Sequence, residues 1–266
     1  PEELEPAIRQ LNQLRRSGII RHLVHARYEV VEIQHYERLV RLIDGRQVNL
    51  VSVMDHTPGQ GQYRDVSHLV SYYVRKYNTS RGEIDAMIAA REKKAGNPAV
   101  EETLGKLIAH ARAAGLPVAS HDDDSEDKVS RMKGLGVTIS EFPVDMAAAV
   151  AAARWGMHVA VGGPNVLRGQ STTANLSGLD AIGQNAVDIL CSDYYSPSIL
   201  HAVFKLARER FMSLPDAVRM ATANPARAAG LGADLGSLEL GKRADMILVN
   251  EGGGIPVVTS ARLPRQ

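Results

Sequence analysis

Asp188-Ile-Leu-Cys-Ser-Asp193, followed by Thr222-Ala-Asn-Pro-Ala-Arg227 and then by Gly236-Ser-Leu-Glu-Leu-Gly-Lys-Arg-Ala-Asp-Met-Ile-Leu-Val249, is the stretch whose reading decides the fold. A short apolar run ends in a carboxylate, Asp193, and a helical segment separates it from two motifs punctuated by Gly, Pro and Asn. A buried strand with a polar residue at its end and a helix behind it is the repeating unit of a parallel α/β layer. That unit directs attention upstream, to the ends of the other strands.

The same alternation runs back through the chain. Apolar runs at 22–31, 48–54, 117–120, 136–140, 158–162 and 188–192 read as strands. Helical patterns occupy 5–17, 34–44, 66–75, 81–95, 100–114, 126–134, 145–155, 178–186, 197–213 and 214–229. Asp122, Asp123, Asp124 and Ser125 stand before the helix at 126, where acidic groups and a capping hydroxyl favour a helix N-terminus. Gly115-Leu-Pro117 and Gly134-Leu-Gly136 fall where helices should stop. After Gly230 the pattern reduces to short strands and turns. Six strands are fewer than the eight that close a (β/α) barrel.

The composition is ordinary for a globular protein. Of 266 residues 44% are hydrophobic and 23% charged, and the formal net charge is +1. This balance gives no basis for a nucleic-acid or membrane partner. Cys191 is the only cysteine, so no intrachain disulfide forms, which fits a cytoplasmic location. No apolar run reaches the roughly 18 residues of a membrane span.

Polar residues follow strand after strand: Asp55-His-Thr-Pro-Gly-Gln-Gly-Gln62, His121-Asp-Asp-Asp124, Glu141-Phe-Pro143, Gly163-Pro-Asn-Val-Leu-Arg-Gly-Gln170 and Asp193-Tyr-Tyr-Ser196. In a parallel sheet these ends share one face, the face that carries chemistry. His56, His121 and Asp193 are the metal-ligand candidates there. Imidazole and carboxylate are the usual ligands of a hydrolytic zinc or a similar divalent ion such as manganese. Asp193 is also the catalytic candidate, able to take a proton from attacking water. The bland alternative makes each a separate surface or capping residue. His25, Arg27 and Glu29 alternate and so share one face of the first strand. Glu29 could give a carboxylate to a metal, or simply pair with Arg27. For the aspartate run capping competes with a role for Asp122 or Asp123 behind His121. The loop from Gly162 to Asn175 offers amides and one guanidinium to phosphate oxygens, and Gly59-Gln-Gly-Gln-Tyr-Arg64 is similar. Asn165, Arg168, Gln60 and Arg64 are therefore the substrate-binding candidates, against the alternative of ordinary surface loops.

These residues carry a family resemblance. The Ala-Asn-Pro and Gly-Lys-Arg-Ala-Asp elements resemble the C-terminal end of the amidohydrolase superfamily. Val53-Met-Asp-His-Thr-Pro-Gly-Gln60, Ala119-Ser-His-Asp-Asp-Asp124 and Gly163-Pro-Asn-Val-Leu-Arg-Gly169 resemble its alkylphosphonate-utilising branch, and the likeness runs from about His22 to about Asn250. The resemblance implies an α/β fold with a (β/α) barrel over 1–234 and a remnant of a small β-sandwich over 235–266. It implies a metal-dependent hydrolase that removes pyrophosphate from a ribose 1-alkylphosphonate 5-triphosphate. It makes His56, His121 and Asp193 metal ligands, Asp193 also the acid/base, and Glu29 a bridging carboxylate. The Asn165–Arg168 segment would face the phosphonate or phosphates.

The superfamily opens its barrel with a His-x-His pair, and none of the nine histidines here stands two from another. The expectation is a barrel incomplete at its N-terminus, lacking its first two strands, with exposed edges covered in a homo-oligomer. Two other readings stay open. One is an amidohydrolase acting on a C–N bond, which calls for an apolar slot where a polyanion calls for several basic groups. The other is a catalytically impaired chain that binds a phosphorylated ligand, which metal content would distinguish.

Overall fold

The computed structural model describes residues 4–17, 20–77, 79–171 and 175–263. Six strands, β1 (His25–Glu29), β2 (Leu50–Met54), β3 (Val118–His121), β4 (Ile139–Glu141), β5 (His158–Gly162) and β6 (Ile189–Cys191), pair in sequence order and all in parallel. The helices are α1 (Leu4–Ser17), α2 (Tyr36–Asp44), α3 (Val66–Tyr77), α4 (Arg81–Ala95), α5 (Ala99–Ala113), α6 (Glu126–Leu135), α7 (Met146–Arg154), α8 (Gly163–Arg168), α9 (Gly178–Gly183), α10 (Ser198–Arg208), α11 (Leu214–Ala221) and α12 (Ala223–Ala228). An antiparallel hairpin, β7 (Met246–Gly252) with β8 (Ile255–Arg262), forms a separate sheet. The fold is thus α/β, and its parallel sheet has β1 and β6 as end strands with no closure between them among the described residues.

Alternation along the strands sorts the side chains. Val51, Val53, Val118 and Val159 face outward and pack with Leu39, Leu42, Leu104, Leu107, Ile108 and Val129 of the helices in the main core. On the opposite face Ala119, Ile139, Ala160 and Ile189 form a compact cluster. Ser52, His121 and Glu141 share that inner face with Arg27, because each lies an even number of residues from an inward neighbour. Chemistry-bearing side chains are gathered on this inner face, and the four valines hold the helices on the other.

Several boundaries differ from the sequence reading for identifiable reasons. The expected loop at 163–169 is the short helix α8. Pro164 stands at its start, where a missing N–H costs nothing, and Gly169, at φ 77°, ends it. The helix expected over 214–229 divides at Thr222, whose backbone leaves the helical region at φ −132°, ψ −83° and whose hydroxyl donates to the Val218 carbonyl at 2.8 Å. By contrast α4 begins where the sequence placed it, because Ser80 and Glu83 form a capping box.

Gly163, at the mouth of the sheet, has no room for a side chain. A Cβ there would lie 2.6 Å from the hydroxyl oxygen, 3.0 Å from the Cβ and 3.2 Å from the backbone carbonyl carbon of the fully buried Ser198. Gly163→Ala should lower stability by about 1–3 kcal/mol through overpacking. Gly82→Ala, in α4 with nothing near its Cβ, should raise it by about 0.5–1 kcal/mol. Urea unfolding of both variants checks this pair of opposite signs.

Candidate functional site

β2, β3, β4 and β6 deliver their C-terminal residues to one opening. Among the described residues, one group of three metal-ligating side chains has its ligand atoms within 4.8 Å of one another: His56, His121 and Asp122. His56 follows β2, and His121 ends β3. Asp122 follows with φ at 53°, the left-handed region that a non-glycine residue adopts only when its surroundings enforce it. Enforcement comes from the Asp122 N–H donating to the Glu141 carbonyl at 3.0 Å. Lys128 Nζ also donates to the carbonyls of His121 and Asp122, at 3.0 Å each.

Each imidazole is gripped from behind by a carboxylate. Glu29 accepts from His56 Nδ1 through Oε2 at 2.6 Å and from the His56 backbone N–H through Oε1 at 2.9 Å, and Arg91 lies 3.4 Å from Oε2. Glu141 accepts from His121 Nδ1 at 2.8 Å and from the Ser52 hydroxyl at 2.9 Å. Both Nε2 atoms are left facing Asp122, at 3.8 Å from His56 and 3.5 Å from His121. Asp122 Oδ2 is buried and has no hydrogen-bond partner. Burial pushes the Asp122 carboxyl above its ordinary range, opposed by the charges of His121, His56, Lys128 and Arg27. Burial alone would raise Glu141 as well. Hydrogen bonds from His121 and Ser52, with the electrostatic attraction of the His121 and His25 rings, outweigh it and hold the carboxyl down to about 2.

A buried carboxylate with one oxygen orphaned, its two oxygens facing one imidazole nitrogen each, is an arrangement a divalent cation satisfies, and the donor set of two nitrogens and one oxygen suits zinc or manganese. Arg27 reaches the same place, with Nη2 3.0 Å from His121 Nε2 and Nε 3.0 Å from Met54 Sδ. A cation that takes the Nε2 lone pair must displace this guanidinium.

His121 and Asp122 form one wall of a cavity of about 280 Å³. Arg27, Arg168, Gln62 and Asn175 bring basic and amide groups to it, Asp193 a second carboxylate, and Phe142, Val144 and Leu176 an apolar side. Asp193 also takes a left-handed backbone, at φ 52°, and is exposed on the wall, outside the group of three. Arg168 Nη1 donates to the Tyr194 hydroxyl at 2.6 Å. Asn165 lines the cavity too, but its amide is engaged by the backbone, donating to the Leu176 carbonyl at 3.0 Å and accepting from the Gly178 N–H at 2.9 Å.

The other sequence candidates lie elsewhere. Glu29 stands behind His56, on the nitrogen turned away from Asp122. Gln60 lines a separate cavity with Asn97, Lys128 and Arg131. Arg64 pairs with Asp145 at 3.3 Å. Asp123 is completely buried and accepts from the hydroxyls of Ser120 at 2.6 Å and Ser140 at 2.5 Å, which ties β3 to β4 on the helix side. Glu141 is the residue the sequence reading passed over. Its only signal was its place after a strand, and its partner emerges from the parallel register that sets His121 opposite Glu141.

A carboxylate buried with one oxygen lacking a hydrogen-bond partner lowers stability for the sake of a ligand. Asp122→Asn keeps the shape, tolerates the left-handed backbone and removes the charge. In chelator-treated protein this variant should unfold at higher urea, by about 1–2 kcal/mol of added stability, while losing affinity for zinc. A destabilised variant would instead make Asp122 a structural anchor.

Residues 76–260 match the amidohydrolase family. The chain is 34% identical over 259 residues to the α-D-ribose 1-methylphosphonate 5-triphosphate diphosphatase of Escherichia coli (strain K12), covering 94% of this chain and 66% of that protein. This chain therefore spans just under two thirds of the length of that relative. Two solved structures share the fold at low identity. One is a prolidase complexed with N-methylphosphonate-L-proline (TM-score 0.59, 15% identity, 96% of this chain and 71% of that one). The other is the N-acetylglucosamine-6-phosphate deacetylase of Pasteurella multocida (TM-score 0.59, 12% identity, 98% of this chain and 71% of that one). With the family pattern matched over most of its length, the chain belongs to the amidohydrolase family.

Proposed function

We propose that the chain belongs to a metal-dependent hydrolase that splits a ribose 5-triphosphate bearing an alkylphosphonate at C1 into the 5-monophosphate and pyrophosphate. The observation that carries this reading is the meeting of His56, His121 and Asp122, the last two on a cavity that also presents Arg27 and Arg168. The likeness to the E. coli diphosphatase supports the choice of substrate.

His56, His121 and Asp122 would hold a divalent ion, zinc or manganese. When bound, such an ion lowers the pKa of a water and polarises a phosphoryl oxygen. The chain's own groups do the remainder. Asp193, on the cavity wall, takes the proton of the attacking water as its oxygen bonds to the α-phosphorus. The bond to the bridging oxygen breaks, and the electron pair leaves with pyrophosphate. Arg168 and Arg27 hold the charged oxygens by guanidinium contacts, which suit phosphate geometry. Phe142, Val144 and Leu176 exclude water from one side, which strengthens each of these interactions. That apolar side also favours a second reading, hydrolysis of a C–N bond in a less charged substrate.

The remaining expectations complete the proposal. The hairpin of β7 and β8 belongs to a small second β domain over 235–266, and the barrel occupies 1–234. The exposed edges of β1 and of the hairpin call for a homo-oligomer. No described helix is long and apolar enough to cross a membrane, and we place the protein in the cytoplasm, with a phosphorylated sugar as its small-molecule partner.

The direct test supplies the purified protein with zinc or manganese and the ribose 5-triphosphate, and follows phosphorus by NMR. Stoichiometric pyrophosphate and monophosphate, abolished by chelation, are expected. Release of orthophosphate, or hydrolysis of a cyclic amide in place of the triphosphate, would contradict the proposal. In the same assay Arg168→Ala should raise KM about 10-fold or more, since a charge-assisted hydrogen bond contributes roughly 1.5–3 kcal/mol. Asp193→Asn should lower kcat by about 10²–10⁴-fold with little change in KM.

A further inference from the structure

Behind His121 lies a chain of hydrogen bonds that the proposed chemistry leaves unused. His25 Nε2 meets the Ser52 hydroxyl at 2.5 Å, that hydroxyl donates to Glu141 Oε2 at 2.9 Å, and the same oxygen accepts from His121 Nδ1 at 2.8 Å. The members come from β1, β2, β3 and the end of β4, so the chain crosses the inner face of the sheet. Ser52 is fully buried, and His121 and Glu141 are buried as well.

Two independent contacts fix where the proton of His121 sits. An ionised carboxylate only accepts, so Nδ1 must donate to Glu141. A guanidinium only donates, so Nε2 must accept from Arg27, 3.0 Å away. Both constraints select the tautomer with the proton on Nδ1 and the lone pair on Nε2, the atom that faces Asp122 at 3.5 Å. Without Glu141 the Nδ1 proton would have no acceptor on that side. The other neutral tautomer, common for free imidazole, places a proton where a ligand lone pair is required.

We propose that Glu141, steadied by Ser52, is a positioning residue of the metal centre. It holds His121 as the Nδ1–H tautomer and so presents Nε2 to the cation. The inference rests on the proposed metal site, yet the tautomer can be read whether or not metal binds.

The experiment uses the full chain with ¹⁵N-labelled histidine. Long-range ¹⁵N–¹H correlation, with His121 assigned by His121→Gln, reports its tautomer in chelator-treated protein. Zinc affinity is then measured by competition with a chromophoric chelator, and the melting temperature of each variant is recorded. Wild type should show the Nδ1–H tautomer. Glu141→Ala should shift His121 toward the Nε2–H form and weaken zinc binding about 10–100-fold. Glu141→Gln, which keeps a carbonyl acceptor and the shape, should fold as wild type does, retain much of the Nδ1–H form and lose less affinity than Glu141→Ala. Should Glu141→Ala fail to fold, Glu141→Gln carries the test through a several-fold loss of zinc affinity. An unchanged tautomer and unchanged affinity in the variants that fold would overturn the proposal. A wild type that binds no zinc but loses the Nδ1–H tautomer in Glu141→Ala would overturn the metal reading and leave the positioning role standing.

Discussion

The buried carboxylate of Asp122, facing two imidazole nitrogens and lacking a hydrogen-bond partner on one oxygen, is the constraint around which the mouth of the sheet is organised. A carboxylate placed this way is unfavourable by itself. It is held by a left-handed backbone, by Lys128 on the carbonyls beside it, and by the Glu141 carbonyl accepting its N–H. Glu29 and Glu141 then aim the two imidazoles at it from opposite strands. The common feature is carboxylates distributed in two layers, one toward the cavity and one behind the histidines. Such layering lets the outer groups set the orientation and basicity of the inner ones.

The parallel register makes this layering possible. Each strand is short and feeds its last residue to the same end, and strands buried on both faces have no freedom to slip without exposing their apolar face. The inner face can then tolerate polar groups because they satisfy one another, as Ser52, Glu141 and His121 do. On the helix side the fully buried Asp123 accepts from Ser120 and Ser140 through one oxygen and so binds β3 to β4, while its other oxygen has no hydrogen-bond partner. Adjacent aspartates thus serve opposite faces of one strand end: Asp122 turns to the cavity and Asp123 to the core, while Asp124 accepts from the Gly61 N–H at 2.7 Å and fixes the loop after β2.

Much of this was legible in the sequence, and the parts that were not share a physical cause. The strands could be read because each is a short apolar run between turn residues, and β5 was placed at its observed limits. The helix α4 could be read because its cap is local. His56 and His121 stood out because a histidine at or just past the end of an apolar run is a local pattern. The three aspartates were harder, since acidic residues before a helix read as caps. In the structure Ser125 supplies the cap of α6, accepting from the Lys128 N–H at 3.3 Å, and frees the aspartates for other work. Glu141 has no local signature, because its meaning depends on a strand partner 20 residues away. The helix α8 was hidden because Gly-Pro-Asn reads equally as a turn and as a helix start. Where the signal is a neighbour in sequence the reading succeeds, and where it is a neighbour across the sheet the register must be known first.

The measurement that tests the account most directly is anomalous diffraction from crystals grown with zinc. A single strong peak within bonding distance of His56 Nε2, His121 Nε2 and an Asp122 carboxylate oxygen, with the Arg27 guanidinium moved off His121, is the predicted result. A crystal without a peak there, or with zinc bound only by surface groups, would contradict the claim that these strand ends form a metal centre.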